Sequence, residues 1–309
     1  MSGRPLREAY GDEILVLGKE NPDIYVVDAD VGKSCTTLTF AAELPEQYVN
    51  VGIAEAAAAG MAAGLATCGK IPYLTTYAAF GSMRICEQIR QEICYPKLNV
   101  KIACSHGGVT PADDGASHQC IEDMGIMRTL PNMTIVMGAD YNATRDLVRK
   151  AADYPGPVYL RFTKGPIPDV YDETVDLQIG KANQLAEGSD VAIIANGDTV
   201  CIARDAVNAL KEKGISARLL DMHTIKPLDM DAVNACIHDI GKIITVEDHN
   251  IINGLGSAVS EVVAYAGKGI VRRVGVQDCF GESAPYEALL AKNGITVEDI
   301  VAIAEDLCK

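Results

Sequence analysis

Runs of apolar residues alternate with helical patterns along the first half of the chain. The apolar runs have the character of buried strands and are IYVVD (24–28), IPYLTT (71–76), NVKIACS (99–105), MTIVM (133–137) and PVYLRF (157–162). The stretches with helical periodicity are residues 7–19, 54–68, 82–94, 118–127 and 143–152. Continuous Val and Ile runs separated by helices are typical of parallel strands with crossover helices. The pattern therefore predicts an α/β domain at residues 1–165.

The pattern changes after Arg161. Residues 164–190 are rich in Pro, Gly and Asp and have no sustained helical period, so we interpret 166–187 as a linker that contains a short hairpin. The alternation then resumes, with strands at 191–196, 216–221, 242–248 and 270–276, helices near 200–213, 229–238 and 255–265, and two C-terminal helices. These elements predict a second domain at residues 188–309. The predicted fold class is α/β, with two domains whose mainly parallel sheets are flanked by helices.

Composition narrows the class of protein. Of the 309 residues, 48% are hydrophobic and 22% charged, as in ordinary globular proteins, and the formal charge is −15. That charge disfavours nonspecific binding to nucleic acid or to anionic membranes, which needs a cationic surface. The N-terminus lacks the apolar core of a signal peptide, and no apolar segment is long enough for a membrane span. The ten cysteines form no metal-type pair. We expect them to be small buried residues of a cytoplasmic protein.

One carboxylate stands out in the segment YVNVGIAEAAAAGMAAGLA (48–66), which is small and apolar apart from Glu55. An ionised carboxylate in such surroundings is costly to bury. Glu55 could lie on an exposed turn of the helix and have no special role. It could also serve a reaction that needs a carboxyl group out of water.

The loop HGGVTPADDGASHQ (106–119) follows the third predicted strand. Ligands of parallel α/β sheets bind beyond the carboxyl ends of strands, and long loops in compact domains are usually functional. Ser117 is a plausible N-cap, which would place His118 at the positive end of a helix and favour a neutral imidazole. His106 and His118 could instead be exposed loop residues with capping duties. The sequence has no cysteine or histidine cluster with the spacing of a zinc site, so no metal ligand is predicted in this chain.

Phosphate-binding motifs are weak in this sequence. There is no Walker motif, and INGLGS (252–257) has two glycines before a helix without the full dinucleotide fingerprint. A helix start packed tightly on a strand explains these glycines better.

Several longer motifs resemble the transketolase family, in the same order. They are VNVGIAEAAAAGMAAGLA, IPYLTTYAAFGSMR, SHGGVTPADDGASHQCIEDMG, RTLPNMTIVMGAD, VYLRFTK, LLDMHTIKPLD and TVEDHNIINGLGSAVSE. The resemblance covers nearly the whole chain and corresponds to the C-terminal half of a full transketolase. That half comprises the pyrimidine-binding domain and the transketolase C-terminal domain.

The resemblance implies a missing companion. The other half of a transketolase carries the thiamine diphosphate motif, a Gly-Asp-Gly with a distant Asn that binds Mg²⁺, and NGDTV (196–200) does not fit it. The chain thus looks like the C-terminal subunit of a split transketolase. The ligands of Mg²⁺ are then expected on an N-terminal subunit, and an α2β2 assembly with self-association of this chain is expected.

The resemblance also implies roles for individual residues. Glu55 matches the glutamate that contacts the aminopyrimidine ring of thiamine diphosphate, and with His118 it is a candidate for proton transfer. The cofactor-contacting positions are Glu55, Phe80, Tyr77, Asp30 and Met83. Tyr77 and Met83 depart from the phenylalanine and tyrosine that are common there. Asp114 and His118 match residues that orient the hydroxyl groups of the sugar. The positions that match residues holding its phosphate group are His106, Ser34, Arg161 and Arg7. A salt bridge for Arg161 and a surface charge for Arg7 are the structural alternatives.

Three functions stay open at this point. The first is transfer of a two-carbon ketol unit between phosphorylated sugars, together with the partner. The second is another thiamine diphosphate reaction, as in the beta subunits of 2-oxo acid dehydrogenases or in deoxyxylulose-phosphate synthases. The dehydrogenase subunits usually lack a loop like DDGASHQ, and the synthases usually have an acidic residue at His106, so both points favour transketolase. The third is a regulatory or assembly subunit, which the presence of Glu55 and Phe80 disfavours.

Overall fold

The structure is a computed structural model that describes residues 3–309. Its strands are β1 (Arg4–Pro5), β2 (Ile24–Asp28), β3 (Tyr48–Asn50), β4 (Ile71–Tyr77), β5 (Lys101–Ser105), β6 (Thr134–Val136), β7 (Val158–Arg161), β8 (Pro166–Ile167), β9 (Asn183–Ala186), β10 (Val191–Ala195), β11 (Ala217–Asp221), β12 (Thr224–Lys226), β13 (Lys242–Asn250) and β14 (Ile270–Val276). Its α-helices are α1 (Leu6–Glu20), α2 (Leu38–Glu43), α3 (Glu55–Thr67), α4 (Cys86–Gln88), α5 (Asp123–Thr129), α6 (Tyr141–Asp153), α7 (Val200–Glu212), α8 (Met230–Asp239), α9 (Leu255–Ala266), α10 (Tyr286–Lys292) and α11 (Val297–Cys308).

The larger sheet has the strand order β12-β6-β7-β5-β4-β2-β3, and only β12 runs antiparallel to its neighbour. The strands of its centre are buried along almost their whole length, as expected for a parallel sheet covered on both faces. The carboxyl ends of β2, β4, β5 and β7 are adjacent at one edge of this sheet. Side chains that follow these strands are therefore brought together.

The second sheet has the order β14-β13-β10-β11-β9, with β9 antiparallel to β11 and the other pairs parallel. Helices α7 and α11 pack together over one part of it, while α8 and α9 pack together elsewhere against it. Two sheets of mainly parallel strands with helices around them confirm the predicted fold class.

Helix α3 packs closely against β4 through small side chains. Ala58, Ala59 and Ala62 are fully buried, and their spacing of three to four residues places them on one face of the helix. Small residues on this face let the helix backbone approach the sheet. This packing fixes the position of the first residue of α3, Glu55.

The helix predicted at residues 82–94 is present in an irregular form. Wide π-type turns at Phe80–Arg84 and Ile89–Cys94 flank the short α4, and the Ile85 amide donates to the Phe80 carbonyl, five residues earlier. Such π-turns are frequent at functional sites because they redirect side chains. Here the first of them positions Phe80 and Arg84.

The hairpin predicted in the linker is wrong. β8 pairs with β1, and β9 pairs with β11, so each strand finds its partner far away in sequence. The strand β12 lies after β11 in the chain yet pairs with β6 of the larger sheet. A domain boundary based on sequence order alone therefore does not separate the two sheets, and the limits at 165 and 188 stay a prediction.

The glycines of residues 252–257 serve the start of a helix, as the sequence favoured. The buried carboxylate of Glu247 accepts hydrogen bonds from the amides of Leu255 and Gly256, at 2.7 and 2.8 Å. A Cβ atom at Gly254 would lie 2.0 Å from Oε2 of Glu247, so only glycine allows this close approach. This protein carboxylate therefore takes up the free amide groups at the start of α9.

Across residues 3–309, none of the helices combines the length and apolar character that a bilayer crossing requires.

Candidate functional site

Glu55 is the first residue of α3 and lies at the edge of the larger sheet. Only 5% of its surface is exposed, so the explanation as an exposed helix residue is wrong. Its Oε1 atom accepts a hydrogen bond of 2.7 Å from Nη1 of Arg84, whose own side chain is 51% exposed. The carboxylate is thus largely withdrawn from water but retains a cationic partner.

Two aromatic side chains lie near the end of β4. The ring centroids of Tyr77 and Phe80 are 5.8 Å apart. The guanidinium carbon of Arg84 lies 4.1 Å from the centroid of Phe80, in a cation–π contact. Met83 is exposed on the same irregular helix. Arg84 thereby connects the Glu55 carboxylate with the face of an aromatic ring.

His106 follows β5 and packs on Tyr77, with 4.1 Å between the ring centroids. Its Nδ1 atom shares a hydrogen bond of 2.7 Å with Oγ of Ser105, and that hydroxyl lies 3.1 Å from Sγ of Cys35. Burial, with smaller effects from the charges of Arg7 and Lys164, lowers the pKa of His106 to about 3. His106 is therefore a neutral imidazole at physiological pH, held by its neighbours in one orientation.

The loop after β5 brings His118 and Asp114 to the same place. The His118 ring lies 5.9 Å from Tyr77 and 6.0 Å from Phe80, centroid to centroid. Asp114 accepts a hydrogen bond of 2.6 Å from Nζ of Lys164, and this bond lowers the pKa of Asp114. The loop and the segment after β7 thus place an imidazole, a carboxylate and an ammonium group at one edge.

The predicted helix start at Ser117 is wrong. Helix α5 begins at Asp123, because Gly108 and Cys120 pair through two backbone hydrogen bonds and hold the chain extended before it. Oγ of Ser117 is instead 2.9 Å from Nδ1 of His118. The argument from the positive end of a helix therefore does not apply to His118.

Arg7 and Ser34 approach the cluster from α1 and from the loop after β2. Nη1 of Arg7 donates to the Ser34 carbonyl oxygen at 3.0 Å. Burial raises the pKa of the Tyr77 phenol, and the neighbouring Ser34 side chain opposes this effect. Asp30 lies at the end of β2, where it accepts a hydrogen bond of 3.1 Å from Asn50.

Arg161 ends β7 beside this edge, but its guanidinium is buried among protein groups, which disfavours the predicted phosphate contact. It is 1% exposed. Its Nε donates to Oδ2 of Asp123 at 2.8 Å, and its Nη2 donates to the carbonyl oxygens of Cys120 and Asp248 at 3.1 and 2.9 Å. Burial alone would lower its pKa, but Asp123, Asp248 and Asp198 raise it. Arg161 is thus a buried salt-bridge residue, the structural alternative given above.

Comparisons with known proteins match both parts of the chain to domains of one family. The transketolase pyrimidine-binding domain matches residues 3–169, and the transketolase C-terminal domain matches residues 180–300. The chain belongs to the transketolase family.

Several relatives of this transketolase-family chain match along its whole length. A protein assigned as a transketolase C-terminal section from Methanocaldococcus jannaschii is 43% identical and covers 98% of this chain and 96% of its own. One of the subunits of an apulose-4-phosphate transketolase from Phocaeicola vulgatus is 40% identical, with 98% and 97% covered. A 6-deoxy-6-sulfo-D-fructose transketolase subunit from Clostridium sp. is 37% identical, with 98% and 94% covered.

Solved structures show the same likeness to transketolases. A split-gene transketolase, described as an inactive β4 tetramer, has a TM-score of 0.91 and 44% identity, with 99% of both chains covered. Transketolase from Campylobacter jejuni has a TM-score of 0.83 at 20% identity, with 99% of this chain but 47% of that chain covered. The second match supports the fold alone.

The residues of this transketolase-family chain fit the pyrimidine end of thiamine diphosphate, the cofactor that the family implies. A buried carboxylate beside partly exposed aromatic rings matches the needs of a flat heterocycle with a basic nitrogen. Glu55 provides the carboxylate, and Phe80 and Tyr77 provide the rings. Within residues 3–309 there is no group of three or more His, Cys, Asp or Glu residues placed to hold a metal ion.

A cavity of this transketolase-family chain lies apart from the predicted site residues. It measures about 630 Å³, and its lining includes Arg128, Lys226 and Tyr265. It contains none of the predicted site residues, which occupy an open edge of the sheet rather than a closed pocket. The chemistry of the side chains therefore identifies the site better than cavity volume does.

Sequence reasoning missed three residues of the cluster in this transketolase-family chain. Lys164 follows β7 by three residues, so the rule applied to strand ends would have found it. Arg84 follows Phe80 by four residues, a spacing that places two side chains on one helical face. Ser105 is the last residue of β5 and is recognisable only from its contact with His106.

The buried role of Arg161 predicts a loss of stability when it is replaced. Arg161→Met leaves Asp123 buried without its cation, so we expect the free energy of unfolding to fall by about 3–5 kcal/mol. Arg204→Met, at an exposed pair with Asp205, should cost less than about 1 kcal/mol. Urea denaturation of the purified chain measures both. Unchanged stability of Arg161→Met, with a loss limited to phosphorylated substrates, would restore the phosphate assignment.

The lowered pKa of His106 predicts how it responds to pH. Its folded pKa of about 3 lies below the ordinary 6.5, so folding disfavours the protonated form. Its contribution to stability is complete above pH 6.5 and is lost as the pH falls toward 3. We expect its imidazole ¹⁵N signals to stay those of a neutral ring at about pH 5, whereas histidines of the urea-unfolded chain titrate near pH 6.5. A midpoint near 6.5 in the folded chain would contradict the burial effect.

Proposed function

We propose that this chain is the C-terminal subunit of a split, thiamine diphosphate-dependent transketolase. With an N-terminal partner it transfers a two-carbon ketol unit between phosphorylated sugars. The observation that carries the proposal is the meeting of two kinds of group at one sheet edge. Glu55, Phe80 and Tyr77 suit the pyrimidine ring of the cofactor, and the polar groups of the adjoining loop suit a sugar phosphate.

The cofactor, when bound, supplies a carbanion that accepts and releases the ketol unit. The residues of this chain hold the pyrimidine end in place. Phe80 and Tyr77 provide aromatic surface for the flat ring, and Met83 and Asp30 lie at the margin of the same edge. The buried carboxyl group of Glu55 holds or passes a proton at a ring nitrogen. A carboxyl group exposed to solvent would do this less well, because water competes for its hydrogen bonds.

The remaining groups suit the sugar phosphate. Lys164 and Arg7 supply positive charge, and Ser34 adds a hydroxyl group near Arg7. The neutral imidazole of His106 and the carboxylate of Asp114 provide hydrogen-bonding groups for sugar hydroxyls. His118, which lies beside the aromatic rings, is the candidate for proton transfer to the sugar oxygen.

We propose that the N-terminal subunit binds Mg²⁺ and the diphosphate group and that the assembly is α2β2. The split-gene structure supports the self-association in this proposal, because that protein is described as an inactive β4 tetramer. By analogy, this chain would associate with itself and be inactive alone. We also propose a cytoplasmic location, since all ten cysteines are unpaired, and oxidising compartments favour disulfides.

The sugar is the least determined part of the proposal. Relatives of similar identity are named for apulose 4-phosphate and for 6-deoxy-6-sulfo-D-fructose. A deoxyxylulose-phosphate synthase from Geobacter sulfurreducens is also 38% identical over 301 residues, although this chain covers only 47% of it. The pentose phosphate pathway is therefore one of several settings for a reaction of this class.

A direct assay tests the function. The chain, its authentic partner, thiamine diphosphate and Mg²⁺ are mixed with xylulose 5-phosphate and a panel of aldoses. Formation of a ketose longer by two carbons supports the proposal. Release of carbon dioxide from pyruvate would indicate a decarboxylating enzyme instead. No cofactor-dependent activity over a broad panel would favour a regulatory subunit.

Glu55→Gln should nearly abolish turnover, because the amide keeps the shape of the side chain but cannot take up the proton. We expect a loss of at least about 100-fold in kcat, in the range of general acid–base effects, with an unchanged circular dichroism spectrum. The control is Glu46→Gln, at an exposed position in the turn before β3, which should keep full activity. Normal turnover by Glu55→Gln would exclude the proton role.

Lys164→Met should selectively lower kcat/KM for phosphorylated substrates. A charge-assisted hydrogen bond contributes about 1.5–3 kcal/mol, so kcat/KM should fall about 10- to 150-fold. Unphosphorylated substrates should change little, and Lys164→Arg should retain most of the activity. The control is Lys211→Met, at an exposed residue of α7. Equal losses with both substrate classes would remove Lys164 from the phosphate site.

A further inference from the structure

Arg84 makes two contacts at once with side chains of the proposed cofactor site. Its Nη1 atom donates to Glu55 Oε1 at 2.7 Å, and its guanidinium carbon lies 4.1 Å from the Phe80 centroid. Among residues 3–309, Arg84 is the only side chain that hydrogen bonds to Glu55. The guanidinium therefore lies between the carboxylate and one face of the ring.

A flat heterocycle that contacts both Glu55 and Phe80 needs this same space. A ring nitrogen must come within hydrogen-bond distance of the carboxylate, and a stacked ring must lie against the face of Phe80. Arg84 already occupies Oε1 of this carboxylate and one face of this ring. The guanidinium and the heterocycle therefore compete for the same two partners.

We propose that Arg84 is a positioning residue that closes the pyrimidine site until the cofactor displaces it. This inference rests on the proposed function, because it takes Glu55 and Phe80 as the cofactor contacts. In the closed state Arg84 compensates the charge of the buried Glu55, which would otherwise be costly. In the open state the guanidinium turns to solvent and the cofactor takes its place.

The exposure and position of the Arg84 side chain allow such a movement. It is 51% exposed although its partner Glu55 is almost fully buried, so the guanidinium can return to water at low cost. It ends the irregular segment Phe80–Arg84, so its guanidinium can move without a change in a regular helix. The closed state removes a fraction of the molecules from cofactor binding and so weakens the apparent affinity.

Binding of thiamine diphosphate to the complex of this chain with its partner tests the inference. Arg84→Met removes the competing charge and the planar group, so calorimetry with Mg²⁺ present should show about three- to tenfold tighter binding, matching a closed fraction of about 70–90%. Arg84→Lys keeps a cation for Glu55 but cannot stack as a plane, and should fall between the wild type and Arg84→Met. The control is Arg90→Met, an exposed arginine of the same irregular helix, which should bind like the wild type.

Salt dependence provides a readout that a merely structural role would not change. Salt screens the pair of the half-exposed Arg84 with the buried Glu55 only in part, so the difference in Kd between the wild type and Arg84→Met should shrink but not vanish from about 50 to about 500 mM KCl. Unchanged or weaker binding by both Arg84→Met and Arg84→Lys would overturn the closing role and leave the proposed function intact. Absence of cofactor binding by the wild-type complex would overturn the proposed function, and the closing role with it.

Discussion

The buried ion pair between Arg161 and Asp123 ties the parts of the candidate site together. Arg161 ends β7, Asp123 begins α5, and the guanidinium also donates to the carbonyl oxygens of Cys120 and Asp248. Asp248 belongs to β13 of the second sheet and accepts hydrogen bonds from the Val109 amide. One side chain therefore links the first sheet, the second sheet and both ends of the loop that carries Asp114 and His118.

This linkage explains why a charge is tolerated so deep in the protein. The desolvation cost of Arg161 is offset only because several acceptors surround it, and removing one partner would leave the others unsatisfied. Burial also raises the pKa of Asp198 and Asp248, and the charge of Arg161 opposes that effect. The network is thus a closed set of mutually dependent groups, in contrast with the open cluster around Tyr77.

The sequence predicted well what depends on local pattern. The strands at Ile24–Asp28 and Val191–Ala195 follow from continuous apolar runs, and the strand-end rule points to the loop that begins at His106. It could not predict what depends on distant partners. Arg161 ends β7 and Lys164 follows this strand, and only the position of Asp123 decides which of the two side chains is buried. The predicted start of α5 is wrong for a similar reason. Helical periodicity in the sequence gives no sign that Gly108 pairs with Cys120.

Lys164 and Arg84 are the two cationic side chains of the cluster that the sequence analysis did not identify, and they share a physical feature. Lys164 is paired with Asp114, and Arg84 is paired with Glu55, so neither charge is uncompensated before a ligand arrives. In a chain of net charge −15, an unpaired cation at an open edge would attract any small anion. A paired cation binds only a ligand that replaces its partner with equally good geometry. The same pairing that keeps the free site stable can therefore make it selective, because a ligand must displace two matched contacts rather than fill an empty charge.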